Sequence, residues 1–172
     1  MNRNSGLKTP VAVLVSLCAI FGAFLAWSAT QLPDQVATHF GLSGYADKWS
    51  TRESAIILMA CLGLLLPLVP AVMSFALRYL PVDFINIPHR EYWLAPERRE
   101  ATYGFFSRYL LWLSCLLVCF VMGMHWLTIQ AHHQFPVRLP PGAFVAILAG
   151  FLVAVAMWAV RLIRHFRFPR HS

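Results

Sequence analysis

Few residues in this chain are of a type that does chemistry, and several fall in one stretch, LPDQVATHFGLSGYADKW, residues 32–49. His39 and Asp47 are an imidazole and a carboxylate eight positions apart. Two such ligands fall short of the set a zinc ion takes, so the spacing alone makes no metal centre. His125 is the one histidine within a long apolar run, beside Trp126. With Met122 and Met124 it supplies the residue types of a haem pocket, although methionine is also ordinary filler among apolar side chains. Cys115 and Cys119 stand one helical turn apart. Like Cys18 and Cys61 they lie inside apolar runs, not in the polar connectors where a disulfide framework belongs. No glycine-rich phosphate cradle, nucleophile elbow or zinc spacing accompanies them. These residues predict no catalytic set, no metal and no cofactor, and therefore a protein that is not an enzyme.

The elements that hold these residues are written in the composition. Of 172 residues, 59% are hydrophobic and 12% charged, with a mean hydropathy of +0.61. A soluble domain carries about 25% charged residues. A bilayer core about 30 Å thick needs roughly 20 apolar residues in a helix. Residues 11–29, 55–77, 109–127 and 142–160 each provide that length. The expected fold is an all-α integral membrane protein, one domain of four transmembrane helices spanning 1–172. The first run follows Arg3 and Lys8 as a signal peptide would. It is longer than the 7–15 residues of a signal core and lacks a small-residue cleavage site, which favours a retained anchor. The net charge of +7 does not indicate nucleic acid, because the basic residues flank apolar runs and face lipid head groups instead.

Eleven of the 14 lysines and arginines fall in the N-terminal tail, the 78–108 connector and the C-terminal end. Only Lys48, Arg52 and Arg138 fall in the other two connectors. The positive-inside rule then places both termini in the cytoplasm, 30–53 as a long outer loop and 78–108 as a cytoplasmic connector. Trp27 and Trp126 at the outer ends, with Tyr79, Trp112 and Trp158 at the inner ends, predict interfacial belts that agree. The C-terminal RLIRHFRFPRH suits contact with anionic lipids on the cytoplasmic side. No Asp, Glu, Lys or Arg lies in mid-span, which argues against ion-coupled transport. Pro67 and Pro70 leave the carbonyls of Gly63 and Leu66 without helical donors and predict a kink or opening near Leu66. Gly142, Ala146, Gly150 and Ala154 recur at four-residue spacing, a seam for another span or for a second copy in a homo-oligomer.

Between spans, 24 residues far exceed the 2–8 that usually join bundle helices, so the outer loop should be a structured lid or a partner site. Val36, Phe40, Leu42 and Trp49 are the apolar residues that would fold it down. In the inner connector Pro88 breaks helix, Tyr92 and Trp93 suit the head-group layer, and Pro96 with Glu97 suits a helix start.

Both connectors carry a resemblance. Leu32 and Pro33, followed by His39, Phe40, Gly44 and Asp47, resemble the outward loop of the small membrane domain at the amino end of SdpI-type immunity proteins. Asn86, Pro88, Tyr92 and Trp93 resemble the inner loop of that group, with His89 and Arg90 where asparagine and lysine are expected. The resemblance spans roughly residues 10–130. It implies a bacterial cytoplasmic-membrane protein related to modules that protect against a secreted peptide toxin and hold a regulator at the membrane, here without the further spans of the full-length immunity protein. The expected function is an envelope receptor, immunity-like or accessory module that meets a peptide or protein partner at the outer loop. A small carrier or permeability subunit working through the proline-bearing span is the alternative, and a membrane enzyme ranks below both.

Overall fold

The computed structural model describes residues 5–167, so Arg3 and Arg170 lie outside the described residues. Helix α1 runs Ser5–Ser28 and α2 runs Arg52–Ala76. Two 3-10 turns, Leu77–Tyr79 and Val82–Phe84, and a one-turn α3, Arg90–Trp93, lead to α4, Arg99–His132. Helix α5 is Pro141–Arg167. These four long helices are each long and apolar enough to cross a membrane, as the apolar runs predict. Helix α4 exceeds its run at both ends. It starts at Arg99, just past the expected Pro96, after a turn in which the Ala95 carbonyl accepts from the N–H groups of Arg98 and Arg99. At the far end it continues to His132, which has consequences for the lid.

The expectation of an all-α chain is corrected in the first connector. Strands β1 (Gln35–Phe40) and β2 (Ala46–Thr51) form an antiparallel hairpin, with Gln35 opposite Thr51 and Phe40 opposite Ala46. Val36, Thr38, Phe40, Trp49 and Thr51 are β-branched or aromatic, types that suit a pleated, half-buried surface. Residues 41–45 turn the chain: Gly44 donates to the Gly41 carbonyl, and Gly41 to that of Tyr45. Gly44 holds φ at +82°, where a side chain would be strained.

Helix α4 is the axis of the bundle, packed against α1, α2 and α5. Phe21 and Leu25 of α1 meet Val118 and Val121 of α4 in one buried cluster. Gly63 of α2 lets the Phe21 ring lie directly on the α2 backbone; a methyl group added there would collide with the ring. Of the kink or opening expected near Leu66, helix α2 shows no opening: it is continuous through Pro67 and Pro70 to Ala76. Serines of α4 anchor it from the side. Ser114 Oγ donates to the Pro67 carbonyl at 2.8 Å, and Ser107 Oγ donates to the Ser74 carbonyl. Neither carbonyl is one that the prolines free, those of Gly63 and Leu66, so these bonds tie α2 to α4 and do not replace the missing donors. Helix α5 is peripheral. Among the long helices it packs on α4, and no residue of its most apolar window is buried.

Candidate functional site

The hairpin is clamped onto the bundle at three points, each supplied by a different helix end or connector. The first clamp is His132, in the last turn of α4. Its Nδ1–H donates to the Thr128 carbonyl at 2.8 Å, so Nε2 is the bare acceptor that takes the Ala37 N–H at 3.1 Å. Trp49 presents its ring edge-on to the same imidazole, centroids 6.0 Å apart. The second clamp is Arg52 at the start of α2. It donates to the carbonyls of Ala29 (3.3 Å) and Pro33 (3.4 Å) and pairs with Asp34, tying both ends of the loop together. Thr51 caps the same helix by accepting the Ser54 N–H. The third is the connector between α4 and α5, where Tyr45 bridges Arg138. Ala46 N–H donates to the Val137 carbonyl, Leu139 N–H donates to the Gly44 carbonyl, and the Arg138 guanidinium lies 4.9 Å from the Tyr45 ring centroid.

Beneath the hairpin Leu32 and Val36 are buried with Ala55 of α2 and Ile129 of α4. Next to this floor, His125 is 1% exposed and its Nε2 sits 2.7 Å from Ser28 Oγ. The Ser28 proton is committed to the Leu25 carbonyl, which leaves Nε2 as the donor. Phe24 covers the ring edge-on. This histidine fastens α1 to α4, and Met122 packs against the Phe21 and Val118 cluster. No group of three or more metal-ligating side chains occurs among the described residues.

The sequence-predicted residues thus divide. Leu32, Pro33 and Gly44 build the lid. His39 and Asp47 face each other across the strands, Nδ1 to Oδ1 2.6 Å, both about half exposed. Phe40 is half-buried beside them. Of the four apolar residues expected to fold the lid down, Val36 does so, while Leu42 points wholly outward at 111% exposure and Trp49 stays about half exposed.

The second group, Asn86, Pro88, Tyr92 and Trp93, sits at the other end of α4. Thr102 Oγ1 there donates to the Trp93 carbonyl at 2.8 Å. About 30 residues of helix separate Thr102 from His132, or roughly 45 Å, so the two groups form no common site. Trp93 Nε1 donates to the Phe166 carbonyl at 3.0 Å, fixing the end of α5, and Arg98 lies 4.1 Å over the Tyr92 ring. Asn86 and Pro88 are exposed on the rim. In α5 the small-residue seam turns away from the rest of the chain. An added Cβ at Gly142 or Gly150 would meet nothing within 4 Å, and only Ala154 faces a groove beside α4.

Fold and site together describe a domain of four helices long and apolar enough to cross a membrane, with a clamped β-hairpin at one end. Residues 14–64, which hold most of α1, the hairpin and half of α2, match a family described as a domain of unknown function (DUF1648). Over 107 residues the chain is 31% identical to an uncharacterized protein of Archaeoglobus fulgidus, an alignment covering 59% of this chain and 58% of that one. The chain therefore spans little more than half the length of that relative. No solved structure matches.

Proposed function

We propose that this chain is a non-enzymatic multi-pass protein of a bacterial cytoplasmic membrane whose outward-facing lid receives a peptide or protein partner. The observation that carries the reading is the contrast within the lid. Its backbone is fixed by His132, Arg52 and the 137–139 connector, yet Leu42 and Phe135 are completely exposed on the two segments that build it. Large apolar side chains held out on a rigid scaffold favour a contact surface over a core. The immunity-like form of the proposal rests on the resemblance carried by residues 32–47 and 86–93. A second copy packing on the Gly142, Ala146 and Gly150 seam is its homo-oligomeric form, and Gly150→Leu should abolish it.

The test uses a photo-crosslinking residue at Leu42 in intact host cells. A discrete adduct is expected, weakened by His39→Ala, Phe40→Ala and Asp47→Asn at unchanged membrane abundance, with no adduct from the same probe at Glu97. The His39–Asp47 pair is exposed, and such pairs contribute at most about 1 kcal/mol, so these variants should remain folded. If Leu42 and Phe135 both yield nothing, or the variants simply disappear from the membrane, the lid is structural and the proposal is wrong.

A further inference from the structure

Helices α1 and α5 lie on either side of α4 and leave between them an apolar groove of about 820 Å3. Trp112, Leu116 and Cys119 of α4 form its floor, with Leu17 of α1 and Met157 of α5 on the walls. At one end it closes on two cations, Arg108 and Arg161. Arg108 also lines a second crevice of about 370 Å3 with Arg98, Thr102 and His165, so it borders both spaces. No carboxylate lines either space, and neither Arg108 nor Arg161 is ion-paired among the described residues. Gly6 of α1 leaves room for the Arg108 head, since an added Cβ would stand 3.3 Å from Nη1. The α5 wall is fixed in place by built contacts. Trp158 Nε1 of α5 donates to the Tyr109 carbonyl of α4 at 2.9 Å, and Trp93 holds the end of α5.

We propose that this groove binds one phospholipid bearing a net negative headgroup, with an acyl chain along Trp112, Leu116 and Cys119 and the phosphate between Arg108 and Arg161. The dimensions fit one leaflet. From Arg108 to Cys119 is about 17 Å of helix, and half of a hydrocarbon core is about 15 Å. The charge pattern decides the headgroup, because two guanidinium groups with no counter-charge among the described residues, at the end of an apolar slot, call for a phosphate. Ordinary annular lipid needs neither the slot nor the uncompensated arginines. The inference rests on the chain being a membrane protein and not on any partner of the lid.

Native mass spectrometry of the purified full chain, with added phosphatidylglycerol or phosphatidylcholine of matched acyl chains, tests it. One phosphatidylglycerol should be retained in preference to phosphatidylcholine. Arg108→Gln and Arg161→Gln should each lower that preference about fivefold, while Arg78→Gln, at the same end but outside the groove, leaves it unchanged. Ala154→Trp, which fills the slot and keeps both arginines, should displace the lipid. Equal retention of the two lipids overturns the proposal. So does an equal loss from Arg78→Gln, which would mean diffuse attraction, or full retention by Ala154→Trp, which would mean that surface arginines suffice. Loss of the lid crosslink leaves this result untouched, so the two proposals fail separately.

Discussion

At the scale of the residue, His132 shows how much depends on one side chain. Its proton position is set by the Thr128 carbonyl, and only the Nδ1–H tautomer leaves Nε2 free to accept from Ala37. Ala37 is itself buried, so removal of the acceptor strands an N–H away from water. Such a group costs roughly 1–3 kcal/mol. His132→Ala should therefore raise hydrogen exchange at Ala37 by one to two orders of magnitude, whereas exchange in the middle of α4 stays slow. Equal exchange in both proteins would show that Arg52 and the 137–139 connector hold the lid without it. Nothing in the sequence points to this histidine, because its partner lies 95 positions away and is a backbone group that any residue has. Leu32, Pro33 and Gly44 were legible for the opposite reason. A proline closing a span and a glycine in a turn announce their local backbone by type alone. His125 was legible as a hydrogen-bonded histidine, though not as one buried against Ser28 of α1.

At the scale of the element, α2 shows what a periodicity argument can and cannot see. Its length and apolar character follow directly from the run of residues 55–77, and Pro67 and Pro70 correctly mark missing backbone donors. Whether a helix parts at such a place depends on its neighbour. Ser107 and Ser114 are seven positions apart and so share a face of α4, and both reach carbonyls of α2. Interhelical hydrogen bonds of this kind in membranes contribute about 0.6 kcal/mol each on average, up to about 1.7. The double variant Ser107→Ala/Ser114→Ala should lower unfolding stability in detergent or bicelles by about 1–3 kcal/mol. The loss should appear as faster exchange or proteolysis in the second half of α2, past Pro67. A uniform loss across the four helices would mean that the serines merely fill space. Gly63 belongs to the same lesson. A glycine in an apolar run carries no sign of the Phe21 ring that occupies its face.

At the scale of the whole molecule, the two ends of the bundle treat their cations differently, and this bears on which way the chain faces. At the hairpin end Arg52 is pinned by Asp34 and two carbonyls, and Arg138 is laid over Tyr45. Both act as parts of the lid, leaving Lys48 as the exposed cation of that end. At the other end Arg78, Arg108, Arg161, Arg164 and Arg167 are all exposed. The cytoplasmic leaflet is the anionic one, and each exposed basic residue near it gains on the order of 1 kcal/mol. The imbalance in free cations is thus steeper than the imbalance in composition, and it favours the hairpin facing outward. Cysteine labelling checks this directly, since the native cysteines lie within the long helices. Leu42→Cys, fully exposed at the tip, should react with a membrane-impermeant maleimide in intact cells. Glu97→Cys, exposed at the turn before α4, should react only after the membrane is opened. The reverse pattern would invert the protein and move the proposed lipid to the outer leaflet. Labelling of both positions in intact cells would mean that the population is inserted in two directions, and the charge argument would then fail.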